Sequence, residues 1–134
     1  MSKSERVAMY QTYLTAEGYV PKLDDDGDLA FKYEGRLYVV ILDDMDDVFV
    51  RLVFPNFWPI ESAEERGRVV RAAQVATAQT KVAKIFVVED NVWGSVELFC
   101  SPPEVFTNVF RRSMSALQAA VEKFAAKMRE DSPK

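Results

Sequence analysis

The sequence contains no histidine and a single cysteine, Cys100, among its 134 residues. With one cysteine, no disulfide can form within the chain, and a zinc site built from thiolates is excluded. The absence of histidine removes the commonest protein metal ligand and the usual general base near neutral pH. We therefore expect no catalytic residues, no metal, no cofactor and no enzymatic activity.

Clustered glycines and long apolar runs are also missing. The five glycines stand apart from one another and form no phosphate-binding pattern. The longest continuous apolar stretch, residues 37–42, is far shorter than the roughly 18 residues that cross a bilayer. Residues 1–6 are polar and lead into no secretion signal. These absences predict a cytoplasmic protein with no membrane partner.

The charge balance argues against nucleic acid as a partner. The chain carries 17 basic and 21 acidic residues, a formal net charge of −4, whereas backbone-neutralising nucleic-acid binders rely on clustered Lys and Arg. The acidic run at residues 24–28 does not match a calcium loop either. With Gly27 at position six, Lys22 falls at position one and Tyr33 at position twelve, where acidic ligands are required. We interpret the run as a solvated turn.

Hydrophobic periodicity predicts three helices and five strands in one α+β domain. The predicted helices cover residues 4–17, 62–80 and 101–128, and the predicted strands cover 29–33, 37–42, 48–54, 84–89 and 92–100. The order is α-βββ-α-ββ-α, with one mainly antiparallel sheet covered by helices on one side. Residues 1–128 form the single domain, and residues 129–134 are expected to be a polar tail.

Two serines provide the clearest helix-start signals. Ser62 and Glu65 have the spacing of a capping box, in which each side chain satisfies the other residue's backbone amide. Ser101 is followed by Pro102, Pro103 and a glutamate, which predicts a helix with proline in its first turn.

The loop after the third predicted strand is unusually aromatic. Phe54, Phe57 and Trp58 are interleaved with two prolines, although loops usually face water. One interpretation is that these rings fold back over the end of the core. The other is that they form an exposed anchor for a polypeptide partner, because Trp and Phe are enriched at the centres of interfaces.

The second predicted helix has a face of small residues. Two alternatives remain open: the face packs flat on the sheet, or it meets a second copy of the helix across a twofold axis. The candidate dimer-interface residues are Val69, Ala72, Ala73 and Ala76.

Three features resemble YbjN-like proteins, which share the fold of class I type III secretion chaperones. They are the pattern from Tyr13-Leu14 to Gly18-Tyr19, the apolar strand that runs into Phe54-Pro55, and the alanine-rich helix that follows. The resemblance extends over nearly the whole chain through the order of elements. It implies a homodimeric regulator or chaperone-like protein that binds a polypeptide and carries no chemistry of its own.

We therefore expect a dimeric binding module whose sheet or sheet edge receives an extended segment of another protein. Phe54, Phe57 and Trp58 are the predicted partner-binding residues. The alternative is a small-molecule sensor with an apolar pocket between the C-terminal helix and the sheet, lined by residues such as Phe106 and Phe110.

Overall fold

The computed structural model of the chain describes residues 1–133. Within this part of the chain, three helices and six strands follow the predicted order with one short strand added. Their bounds are α1 Lys3–Ala16, β1 Lys22–Leu23, β2 Leu29–Tyr33, β3 Arg36–Leu42, β4 Phe49–Phe54, α2 Ala63–Gln79, β5 Ala83–Val88, β6 Asn91–Phe99 and α3 Val105–Glu130. The α+β class and the predicted antiparallel sheet are confirmed.

The strands form one sheet in the order β1-β2-β3-β4-β6-β5. The β2–β3 hairpin turns at Glu34 and Gly35, and both residues have positive φ angles, 52° and 79°. This is the backbone of a type I′ turn, whose twist matches that of the flanking strands. Strands β4 and β6 are neighbours in this order, and Arg51 Nε on β4 lies 3.7 Å from Glu97 Oε2 on β6.

Strand β1 was not predicted. It has two residues, Lys22 and Leu23, which pair with Ala30 and Leu29 at the start of β2. Both β1 residues are exposed, so the segment lacks the alternation of buried and exposed side chains by which strands are detected in a sequence. Beyond β1, the side chain of Asp24 accepts hydrogen bonds from the amides of Asp26 and Asp28, as the turn interpretation of the acidic run requires.

Helix α1 has well-defined ends. Ser2 caps its first turn through reciprocal bonds with Glu5, with distances of 3.1 Å and 3.0 Å, so the helix begins one residue before the predicted start. At the other end, Gly18 adopts a φ of 97° and the Tyr19 amide donates to the Leu14 carbonyl. This is a Schellman motif, which directs the chain sharply away from the helix axis at Tyr19.

The start of α2 differs in detail from the predicted capping box. The Ser62 hydroxyl accepts from the Glu65 amide at 3.0 Å, as expected. The Glu65 carboxylate, however, accepts from the amide of Glu61 at 2.7 Å and from the Trp58 indole at 3.4 Å. The reciprocal half of the capping box is thus replaced by bonds that hold the preceding aromatic loop.

Helix α3 begins at Val105, four residues after the predicted cap at Ser101. The proline pair explains the shift, because Pro103 disfavours helical backbone angles at Pro102. Residues 105–107 instead form tight i to i−3 bonds to the carbonyls of the three preceding residues. At its other end α3 extends to Glu130 and Met128 is buried, so the helix passes the predicted start of the polar tail.

The contacts within the chain define two compact units. The first contains residues 1–53 and 97–111, and the second contains residues 54–96 and those from 112 onward. In the first unit, the side chains of Tyr10 and Phe106 meet at 4.5 Å between ring centroids, and Phe110 lies 5.8 Å from Phe31 on β2. Alternate residues of β2 are therefore buried under α1 and the first turns of α3.

In the second unit, Gly94 lies at a close contact between β6 and α3. A Cβ atom at this position would lie 2.8 Å from a methyl group of Leu117 and 3.2 Å from one of Ile85. A side chain at this position would force these two buried side chains to shift. The face of β6 that carries Gly94 is therefore the one packed against the helix.

Candidate functional site

The backbone of the aromatic loop is fixed to the start of β6. The Phe57 amide donates to the Val92 carbonyl at 3.0 Å, and the Ile60 amide donates to the Asp90 carbonyl at 2.8 Å. Between them, the Trp58 amide donates to Asn91 Oδ1 at 3.2 Å. Three bonds over four residues hold the loop in one conformation, which positions its rings.

The rings of this loop pack against α3. Phe57 and Trp58 lie 5.5 Å and 5.4 Å from Phe124 between ring centroids, both edge to face, and Phe57 stacks on Phe54 at 5.1 Å. Phe54 is 4% exposed, so it has almost no surface to offer a partner. Phe57 and Trp58 are partly buried. The geometry is that of a loop folded back onto its own unit.

The small-residue face of α2 is covered by the chain itself. Of its four side chains, Ala73 is 6% exposed and the other three are completely buried; the set is Val69, Ala72, Ala73 and Ala76. The structure therefore shows the first of the two alternatives, packing within the chain. The prediction that these four residues form a dimer interface is therefore corrected, because a face that is buried within the chain cannot contact a second copy.

Helix α2 also closes the sheet edge formed by β5. The Thr77 hydroxyl accepts a hydrogen bond from the Ile85 amide at 2.9 Å and lies 3.4 Å from the Ile85 carbonyl oxygen. Near the other end of the helix, Arg66 donates to the Glu89 carbonyl at 3.0 Å and pairs with Asp90 at 2.6 Å. Helix α2 therefore covers the main chain of β5 at Ile85 and is tied to the two residues that follow the strand, which protects this edge against the addition of a further strand.

The phenylalanines expected to line a ligand pocket are packed against other rings. Phe106 and Phe110 are completely buried. Their ring centroids lie 5.5 Å apart, and Phe110 also contacts Tyr13 at 5.8 Å and Tyr19 at 5.7 Å. The volume assigned to the pocket is filled by aromatic side chains of the first unit.

The opposite edge of the sheet, formed by β1 and β2, is only partly closed. The turn pairs Tyr33 with Arg36, and in a type I′ turn these two residues share a main-chain hydrogen bond. Hydrogen-bonded pairs alternate along an antiparallel ladder, so the main-chain groups of Ala30 and Lys32 point outward. Strand β1 begins beside Ala30, because its first residue, Lys22, pairs with Ala30 and its second, Leu23, pairs with Leu29. The amide and carbonyl of Lys32 are left at the open edge.

A cleft of about 390 Å3 lies beside this open edge. It is lined by Gly18, Tyr19, Val20, Lys22, Ala30, Phe31, Lys32 and Leu37. Val20 is 72% exposed and Leu37 is 46% exposed, which is unusual for apolar side chains this close together at a strand edge. The cleft thus combines an unpaired backbone with apolar walls.

The position of Tyr19 explains why the edge is open. Its ring packs on Phe31 at 5.1 Å and on Tyr33 at 5.9 Å, and its amide is fixed to the end of α1. The chain is therefore held on the helix-covered side of β2 until Val20, and it reaches the edge only at Lys22. Strand β1 therefore does not pair with Lys32. The cleft lies between Lys32 and the segment that leads into β1.

Sequence reasoning did not find this edge. Val20, Lys22 and Lys32 form no motif, and their proximity depends on the turn at the end of α1. The sequence did contain one signal. Leu37 pairs with Lys32 and therefore lies on the same face of the hairpin, where polar side chains are expected.

Two ionisable groups, Tyr10 and Cys100, have pKa values that are raised mainly by burial. Burial raises the pKa of Tyr10 to about 12, and burial also raises the pKa of the Cys100 thiol. Both groups stay protonated near neutral pH, and a protonated thiol is a poor nucleophile.

Among residues 1–133, no three acidic or cysteine side chains are grouped so as to hold a metal ion. The same residues include no helix with the length and apolar character of a membrane span.

Neither a protein-family model nor a curated protein sequence matches this chain.

Proposed function

We propose that this protein is a non-enzymatic binding module that holds an extended segment of a polypeptide partner at the open edge of β2. The observation that carries the proposal is the difference between the two sheet edges. Helix α2 closes β5 through Thr77 and Arg66, whereas the main chain of Lys32 faces a cleft of about 390 Å3. An added strand would continue the line of β1 and pair with Lys32.

The short open edge limits the affinity that backbone pairing can supply. Two main-chain hydrogen bonds at Lys32 contribute about 0.5–1.5 kcal/mol each, while a dissociation constant of 1 µM requires about 8 kcal/mol. Most of the binding energy must therefore come from side chains that enter the cleft and cover Phe31 and Tyr19. A partner segment with apolar residues at alternate positions fits this need.

The backbone pairing can be tested by removing a single hydrogen bond. In Lys32→Pro the outward amide is lost while the ladder to β3 is kept, because that ladder does not use the Lys32 amide. In the control Lys32→Ala the amide remains. Peptides selected from a displayed library on the wild type should bind Lys32→Ala well and Lys32→Pro about fivefold to tenfold more weakly, as loss of one hydrogen bond implies. Equal affinity for the two variants contradicts strand addition.

The same library separates this function from the alternative of a small-molecule sensor. The cleft beside Phe31 falls within the volume range of small-ligand sites, which favours it over the filled space at Phe106 and Phe110. A compound that raises the melting temperature of the wild type but not of a cleft-filling Ala30→Phe variant would support the sensor. If library peptides bind and the screen finds no such compound, the result supports the polypeptide-binding module.

The YbjN-like resemblance and the features it implies belong to the same proposal. The order of the helices and strands is in line with membership of that family, with a homodimer and with a regulatory or chaperone-like role. The dimer would have to form through a surface other than the buried face of α2. Sedimentation equilibrium of the wild type tests the homodimer, and cell fractionation tests the cytoplasmic location.

A further inference from the structure

The charged residues that line the cleft are both lysines. Its lining contains two charged side chains, Lys22 and Lys32, and no acidic one, although acidic residues outnumber basic ones in the chain by 21 to 17. Both lysines are exposed, and neither forms an ion pair with any residue in the part of the chain that the structure describes. The open edge therefore carries positive charge that the protein does not neutralise.

The register of the sheet places both lysines on one face. Lys22 pairs with Ala30, and Lys32 follows Ala30 by two residues, so the three side chains point to the same side. A residue of an added strand that pairs with Lys32 would also point to this side, with Cβ atoms about 5 Å apart. Lys22 would then lie two positions away along the same row. A carboxylate at this position of the partner lies within reach of both lysines.

The neighbours of that partner residue face the other side of the sheet, because side chains alternate along a strand. There they meet Phe31, which is almost completely buried in the floor of the cleft, and the partly buried ring of Tyr19. Apolar side chains fit this surface, whereas charged ones would lose water without gaining a partner. The two faces of the cleft thus require different residue types at alternating positions.

The lysines also disfavour a second copy of this edge as the occupant. Two β2 strands pairing antiparallel around a twofold axis would bring Lys32 of each copy close to the other, and like charges opposite each other destabilise a strand pair. Lysine on an exposed edge is a common protection against such self-pairing. The occupant must therefore be a different segment, with the opposite charge.

We propose that the bound segment is acidic at the residue that pairs with Lys32 and apolar at both neighbours of that residue. This inference depends on the proposed function, because it names the partner class of the same edge. It defines the partner by a short pattern, apolar-acidic-apolar in an extended conformation.

The experiment uses three sets of short synthetic peptides that share apolar flanks and differ only at the central residue, which is Glu, Gln or Lys. At low ionic strength the Glu peptides should bind the wild type about threefold to tenfold more tightly than the Gln peptides, as two exposed ion pairs of ordinary strength imply. The Lys peptides should bind least tightly. The preference should shrink as salt is added, because the lysines are exposed.

A charge-reversal variant provides the matched control. In Lys22→Glu/Lys32→Glu the order of the three peptide sets should invert, and in Lys22→Gln/Lys32→Gln the three should bind alike. Equal binding of all three sets by the wild type, with affinity still lost in Lys32→Pro, overturns the acidic preference and leaves the proposed function standing. Binding that is unaffected in Lys32→Pro overturns the proposed function itself.

Discussion

The two edges of the sheet differ in how far the rest of the chain covers them. Along β5, α2 supplies a hydroxyl to the Ile85 main chain and a guanidinium group to Glu89 and Asp90. Along β2, the neighbouring strand has only two residues, and the next outward main-chain groups, those of Lys32, face a cleft. Unpaired strand edges invite association, and proteins usually cover them. The edge that is left open is therefore the better candidate for binding.

The largest effect on the free energy of unfolding is expected in the aromatic loop, where Phe57 and Trp58 pack against Phe124. Phe57→Ala/Trp58→Ala should lower the free energy of unfolding by about 4 kcal/mol, because two partly buried rings lose their contacts with Phe124. Chemical denaturation of the variant and the wild type measures this loss.

Peptide binding at the β2 edge should survive this double substitution under conditions where the variant is folded. The single variant Trp58→Phe, which keeps the ring but loses the indole bond to Glu65, is the control for stability. A double variant of unchanged stability that no longer binds peptide would show that the loop, and not the β2 edge, contacts the partner.

A matched pair of prolines compares the two edges directly. Lys84 and Lys32 are both exposed lysines on strands at or near the margins of the sheet. The Ile85 amide points outward to Thr77, so the Lys84 amide points inward to β6 by the alternation of the ladder. Lys84→Pro should therefore cost about 3 kcal/mol, and Lys32→Pro less than about 1 kcal/mol. Equal losses in thermal or chemical denaturation would contradict the assignment of Lys32 to an open edge.

The cover on the β5 edge can be loosened without changing the shape of the helix. Thr77→Val removes the hydroxyl that accepts from the Ile85 amide and should lower the free energy of unfolding by about 1 kcal/mol. Hydrogen exchange at the Ile85 amide should become faster. In Thr77→Ser the hydroxyl is kept, and exchange there should stay close to that of the wild type. Unchanged exchange in Thr77→Val would mean that α2 does not protect this strand through Thr77.

The smallest effect on stability is expected at the rim of the open cleft. Leu37→Ser should change the free energy of unfolding by less than about 0.5 kcal/mol, because the side chain is 46% exposed. The same substitution should weaken peptide binding, since an apolar wall of the cleft is lost. Calorimetric titration with a library peptide measures the second effect, and full retention of affinity would remove Leu37 from the binding surface.

Most of the fold could be predicted from local patterns in the sequence. Strand β2 followed from the hydrophobic periodicity of residues 29–33, and helix α2 followed from the capping serine at position 62. The start of α3 was misplaced, because the cap signal at Ser101 was given more weight than the effect of Pro103 on the residue before it. Helix and strand identity depend on short-range forces, and these are visible in the sequence.

The candidate site was much harder to predict. The aromatic loop was recognised, but whether Trp58 faces water or Phe124 depends on a contact more than sixty residues away in the sequence. The small-residue face of α2 was ambiguous for the same reason. The open edge at Lys32 results from the short strand β1, which has no sequence signature, and from the packing of Tyr19 on Phe31. These are tertiary relations that periodicity does not encode.

Hydrogen exchange at the Lys32 amide, measured with and without a bound library peptide, tests the central claim most directly. The Ile85 amide, already bonded to Thr77, is the internal reference. We predict that the Lys32 amide exchanges fast in the free protein and slows in proportion to the fraction of protein bound, while exchange at Ile85 does not change. Saturation with peptide that leaves exchange at Lys32 unchanged would contradict strand addition at this edge.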